Sequence, residues 1–159
     1  MIKTAANLKQ LKQLKQLKQL YENEYDRWLE ETVKILNSRQ LELLDCENLI
    51  EELEALGRNE KNAVESLLEQ VIRHLLMYQY WETEFAQNAN HWEAEIVNFR
   101  TQLKRRLTTN LRNHLEGELL SIYRDAVKFV KAKTKLNSFP AESPYTLEQL
   151  LDENWLPGD

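Results

Sequence analysis

"DCENLIEELEALGRNEKNAVESLLEQVIRHLLMYQYW", residues 45–81, decides the fold. Leu49, Leu53, Leu56, Ala63, Leu67 and Val71 recur at spacings of three, four and seven, which keeps them on one face of a helix. Asp45 suits an N-cap, and Glu47 puts negative charge in the first turn, where the helix dipole favours it. The irregular residue is Gly57, which costs about 1 kcal/mol against alanine inside a helix. Because the leucine phase survives it, the spacing predicts one helix over about 45–80. A close helix crossing would explain the glycine. The alternative is a break at 57–59, with Asn59 starting a second helix.

Outward from this stretch, the pattern stays helical. In "YENEYDRWLEETVKIL" (21–36), Tyr21, Tyr25, Trp28, Leu29, Thr32 and Leu36 share a face, and Asn37 or Ser38 in "NSRQ" suits a stop. Downstream, "ETEFAQNANH" (82–91) reads as a polar connection, with Asn88 or Asn90 capping a helix through Trp92, Ile96, Phe99, Leu103 and Leu107. "TTN" interrupts it, and a further helix carries Leu111, Leu115, Leu119, Ile122, Tyr123, Ala126, Val127 and Val130. Its last turns hold Lys128, Lys131, Lys133 and Lys135, where cations suit the dipole. Thr146 with Gln149 reads as a capping box opening a short helix. No segment alternates with period two. The expected fold is an all-α bundle of four main helices (about 5–37, 45–80, 90–108 and 111–135) plus a short one (about 147–153).

"LKQLKQLKQLKQL" (8–20) precedes this pattern. A three-residue period drifts by about 60° per leucine on an α-helix, which excludes a long heptad seam. With Tyr25 at zero, Leu17, Leu14 and Leu11 fall at about −80°, −20° and +40°, the sector of Tyr21, Trp28 and Leu36. The repeat is therefore expected to extend the first helix, as a segment over 1–17 ahead of a single domain over 18–159. Its lysines would meet acidic neighbours.

The chain has 159 residues, three glycines, three prolines and one cysteine. Cys46 alone excludes an intrachain disulfide and a cysteine-based zinc cluster. No apolar run nears the roughly 20 residues a bilayer needs, and no apolar h-region follows Met1. A soluble cytoplasmic protein with no membrane contact is expected. Charge is segregated: residues 1–20 hold five lysines and no acid, 21–69 fourteen acids against five bases, and 96–135 ten bases against three acids. Intramolecular pairing of the acidic middle with both basic blocks explains that pattern as well as nucleic acid does.

The blocks "LYENEYDRWLEETVKIL", "ENLIEELEALGRNEKNAVESLLEQVIRHLL", "NHWEAEI" and "FPAESPYTLEQLLDENWLP" resemble, in order and spacing, the bacterial family catalogued as domain of unknown function 29. The resemblance covers about residues 18–157 and leaves the earlier repeats outside. It implies an all-helical, single-domain, cytoplasmic bacterial protein and carries over no activity. The loop before Trp92 departs from the family's basic, serine-containing stretch.

Candidate sites are sparse. His74, His91 and His114 lack Glu three residues before them, and no H-x-x-x-H pair exists, so a di-metal or zinc site has no ligand set. His74 is expected to bond a carbonyl or carboxylate of a facing helix. Glu47, Glu51, Glu52 and Glu54 could pair as catalytic carboxylates, but salt bridges to a neighbouring helix are the plainer reading. Cys46 sits at a helix start, which would favour a thiolate, yet no nucleophile signature surrounds it. No catalytic residue, cofactor site or metal site is assigned. Two surfaces stand out: the aromatic group Tyr78, Tyr80, Trp81 and Trp92, which either closes one end of the core or meets a partner, and the basic group Arg100, Lys104, Arg105 and Arg106. The reading is a non-catalytic protein-interaction or regulatory module, with an unknown protein partner or self-association. A nucleic-acid-linked regulator resembling an antitoxin accessory is the alternative, and an enzyme of unknown class the third.

Overall fold

A computed structural model describes residues 2–158, and every regular element among them is helical. Helix α1 spans Ile2–Asn23, α2 Tyr25–Ser38, α3 Cys46–Tyr80, α4 Glu82–Arg106, α5 Thr109–Thr134 and α6 Leu147–Leu151, with a 3₁₀ turn at Leu41–Leu43. The chain divides into two compact units, Met1–Gly57 and Arg58–Asp159.

Helix α3 runs unbroken through Gly57, as the leucine phase predicts. The close crossing does not exist: a methyl group at Gly57, or at Gly117 in α5, would meet no atom within 4 Å. Alanine there gains helix propensity without a clash. Gly57→Ala and Gly117→Ala are each expected to add about 0.5–1 kcal/mol of stability. A rise in the urea midpoint at constant m-value checks this; an unchanged midpoint would refute it.

Two helix boundaries fall where the sequence offers no turn residue. The expected first helix, 5–37, is two helices, because Glu24 leaves helical geometry at φ −141° and ψ 67°. The repeat does continue helically into Tyr21, but α1 stops at Asn23. Asn37 and Ser38 lie inside α2, whose stop is Arg39 in the left-handed region at φ 57°. Likewise Trp81, at φ −93° and ψ 65°, ends α3 and starts α4 at once. The expected connection 82–91 is therefore the opening of α4, and Asn88 caps nothing; its Nδ2 donates to the Glu84 backbone oxygen one turn back at 3.1 Å. Aromatic packing drives the reversal. Trp81 stacks on Trp92 at 5.9 Å, and Phe85 meets Tyr78 edge-on at 5.0 Å, contacts that a straight helix would forgo.

In the unit Arg58–Asp159, side-chain pairs set the directions of the helices. Arg106 reaches Glu60 at 3.3 Å and Tyr78 reaches Glu93 at 3.0 Å, so α4 runs antiparallel to α3. His114 meets Glu65 at 2.5 Å and the Arg73 guanidinium lies 3.8 Å over the Phe129 ring, so α5 runs parallel to α3. Val64, Leu68, Val71, Ile72, Leu75 and Leu76 of α3 face Ile96 and Leu103 of α4 and Leu115, Ile122, Ala126 and Val130 of α5, all buried. Each of these side chains except Ala126 contributes about 1.5–3 kcal/mol on removal from water. The C-terminal segment adds Tyr145, Leu147 and Leu150 to this core. The Tyr123 hydroxyl donates to the Pro140 carbonyl at 2.7 Å, and the Tyr145 hydroxyl to Gln79 at 2.7 Å. The expected capping box is formed: the Thr146 hydroxyl accepts from the Gln149 amide at 3.2 Å, and Gln149 Oε1 from the Thr146 amide at 3.0 Å.

The unit Met1–Gly57 is built differently. Among its described residues the buried side chains are Leu17, Trp28, Thr32 and Asp45, two of them polar.

Candidate interaction surface

At the centre of the first unit is an aromatic knot. Tyr21 closes α1, while Tyr25 and Trp28 open α2, so the break at Glu24 brings the three rings together. Tyr21 meets Trp28 edge-on at 4.9 Å, and Tyr25 stacks on Trp28 at 5.8 Å. Both tyrosine hydroxyls donate to one carboxylate of α3, Tyr21 to Glu52 Oε1 at 2.8 Å and Tyr25 to Oε2 at 2.7 Å. These bonds favour the ionised Glu52, whose pKa lies below the usual carboxylate range; the same carboxylate pushes Tyr21 up to about 12. Lys18 pairs with Glu47 at 2.7 Å. Of the four acids read as bridging to a neighbouring helix, Glu47 does so to a cation and Glu52 to phenols. Glu51 is exposed and pairs with no described cation.

The knot covers only half of the apolar surface in this unit. On α2, with Tyr25 at zero, Ile35, Trp28 and Thr32 fall at about −80°, −60° and −20°, and Leu36, Leu29 and Val33 at about +20°, +40° and +80°. Trp28 and Thr32 are buried, whereas Leu36, Leu29, Val33 and Tyr25 itself are exposed. The shared face read from the sequence is thus divided lengthwise into a buried and an exposed half. Helix α3 repeats this: Asn48, Glu52 and Ala55 turn inward, Leu49 is half-buried, and Ile50, Leu53 (60% exposed) and Leu56 (59%) face solvent. Among the described residues, fourteen large hydrophobic side chains are exposed, and ten of them lie within residues 1–57. Three buried polar atoms without a hydrogen-bond partner, Trp28 Nε1, Thr32 Oγ1 and Asp45 Oδ1, belong to the same unit. Each orphan costs about 1–3 kcal/mol.

The aromatic group singled out from sequence lies in the other unit and packs inward. Trp92 is 3% exposed, and Tyr78, Tyr80 and Trp81 are half-buried against the core, with Tyr80 edge-on to Phe139 at 5.3 Å. The basic group is split. Arg100 is 2% exposed and belongs to no surface patch, because Nε donates to the Leu150 carbonyl at 2.9 Å, Nη1 to Trp155 at 2.8 Å and Nη2 to Gln149 at 3.0 Å. Lys104, Arg105 and Arg106 are exposed, with Lys104 paired to Glu153 and Arg106 to Glu60, both at 3.3 Å.

His74 bonds not a facing helix but its own: Nδ1 donates to the Gln70 carbonyl at 2.7 Å, with the ring 5.4 Å from Phe99. Burial lowers its pKa, against the raising effect of that carbonyl and of Glu95, while Lys133 and His91 lower it further. A histidine held below its unfolded value contributes stability that is complete above about pH 6.5 and is lost as pH falls toward the folded pKa. His74→Gln is therefore expected to flatten the fall in stability below about pH 6.5; a denaturation series from neutral to mildly acid pH checks it, and an unchanged slope would refute it. Cys46 is exposed at the start of α3. Among the described residues no three His, Cys, Asp or Glu side chains converge on a point, and no helix is long and apolar enough to cross a membrane.

Periodicity put Leu29 and Leu36 on one face of α2 and Leu53 and Leu56 on one face of α3, and singled out neither Ile50 nor Val33. The one available signal was width: an apolar arc of about 160° on α2 is more than one neighbouring helix covers. No curated protein and no solved structure matches this chain. The model of one family, described as a domain of unknown function, DUF29, matches residues 20–156, and the chain belongs to that family.

Proposed function

We propose that the protein is a non-catalytic interaction module whose first unit completes its fold against a partner protein. One observation carries this reading: among its described residues, the unit Met1–Gly57 leaves ten large hydrophobic side chains in water while burying two, Leu17 and Trp28. Monomeric surfaces scatter apolar residues singly, whereas aligned rows mark a surface that is covered. The row Leu29, Val33 and Leu36 on α2 presents the spacing that receives a partner helix. Nucleic acid is the weaker reading because Glu153 and Glu60 stand against Lys104 and Arg106 of the basic group. Capture from host extract with the full chain tests this, comparing wild type with Leu29→Ser/Val33→Ser/Leu36→Ser. A nuclease-resistant protein should be retained by the wild type and lost with the variant. Retention by both, or of nucleic acid alone, would overturn the reading.

A further inference from the structure

The N-terminal half of α1 presents an exposed arm of interleaved leucines and lysines. Leu8 (63% exposed) and Leu11 (62%) lie in water, and Lys9, Lys12 and Lys15 are exposed and pair with no described acid. Taking Leu8 as zero, Leu11 falls at about −60°, Lys15 at about −20° and Lys12 at about +40°, so cations interleave the leucines. The mirror of this pattern lies on α3, where Ile50, Leu53 and Leu56 form an exposed row beside the unpaired Glu51. Both rows step by three residues: 8, 11, 14 against 50, 53, 56.

We propose that the α1 arm of one copy packs on the acidic leucine row of α3 in a second copy, and that the exchange is reciprocal, giving a two-fold dimer. Charge and spacing match the two surfaces to each other. Geometry keeps them apart within one chain. Lys18 meets Glu47 and Tyr21 meets Glu52, so residue numbers rise together along α1 and α3. Leu8 lies ten residues, about 15 Å, before Lys18, which carries it past the first turn of α3 and away from Leu53 and Leu56. The arm therefore reaches such a row only on another molecule. Reciprocal exchange covers ten of these side chains, on the order of 1,000 Å², the threshold for a specific interface. Because the exchange is reciprocal about a two-fold axis, the contact closes on itself instead of propagating. This inference deepens the interaction reading and rests on the same uncovered unit.

Sedimentation velocity of the full chain from about 1 to about 200 µM tests it. A monomer–dimer equilibrium is expected, weakened by added salt because the arm is cationic and the row acidic. Leu8→Gln/Leu11→Gln and Leu53→Gln/Leu56→Gln change exposed residues, leave the helical circular dichroism intact, and should each weaken the dimer by at least about tenfold. In a Cys46→Ser background, Leu11→Cys mixed with Leu53→Cys should give a bismaleimide-linked heterodimer faster than either protein alone. A monomer throughout, or a dimer indifferent to either double variant, would overturn the proposal. So would arm-dependent binding of a monomer to phosphatidylserine-rich vesicles, which would assign the arm to a membrane surface. A monomer that still loses its captured partner through the α2 variant would remove this inference and leave the proposed function standing.

Discussion

Trp28→Ala is expected to unfold the first unit and leave the second intact. Trp28 is 0% exposed and, with Leu17, is the whole buried apolar content among the described residues of the first unit. Removing a buried tryptophan costs about 3–5 kcal/mol. A unit of this size buries little surface and is marginal to begin with, and its three unpartnered buried polar atoms reduce the margin. The loss therefore exceeds what the unit has. Hydrogen exchange should show α1, α2 and the start of α3 losing protection while Val64–Leu76 of α3 and Leu115–Val130 of α5 keep theirs. Trp28→Phe separates packing from polarity. It leaves a smaller cavity but removes the orphaned indole N–H, worth about 1–3 kcal/mol, so its net effect should be close to neutral. Uniform loss of protection across both units in the alanine variant would show that they unfold as one.

What the sequence made legible was whatever is encoded locally. The phase of Leu49, Leu53, Leu56 and Val71 specifies a continuous α3, and Thr146 with Gln149 specifies the cap of α6, because each signal and its structure lie within a few residues. The reversals at Glu24 and Trp81 carry no glycine or proline. They exist because Tyr21 can reach Trp28, and Trp81 can reach Trp92, only if the helix bends, and such contacts leave no trace in a window of sequence. The exposed leucine rows were not legible for another reason. Periodicity tells which residues share a face, not whether another element covers it. Leu53 and Val71 belong to one stripe of one helix, yet one is exposed and the other buried. The converse error befell Arg100, whose place in a basic run suggested solvent.

Arg100→Ala should detach the C-terminal segment from the second unit. The guanidinium lies at the end of α6, where the Leu150 carbonyl has no further turn to accept from; it shares the Gln149 carbonyl with the Asp152 amide and adds the Trp155 carbonyl beyond the helix. Burial lowers its pKa, partly offset by Asp152 and Glu153, but an arginine remains charged throughout the accessible range. Hydrogen bonds from a charged donor are worth about 1.5–3 kcal/mol each, and they are not additive when one group makes three. Truncation also leaves the Leu150 and Trp155 carbonyls without their donors, while the Gln149 carbonyl keeps the Asp152 amide at 3.3 Å. A loss of about 3–5 kcal/mol follows, with Tyr145, Leu147 and Leu150 losing their cover first. Lysine cannot substitute: one ammonium has no planar fork with which to reach three carbonyls in fixed directions. Arg100→Lys is therefore expected to fall nearer to alanine than to the wild type. Limited proteolysis gives the readout, with cleavage of the 136–158 segment accelerated in both variants while α3, α4 and α5 resist. If Arg100→Lys instead retained wild-type resistance, positive charge alone would be holding the segment, and the directional role assigned to the guanidinium would be wrong.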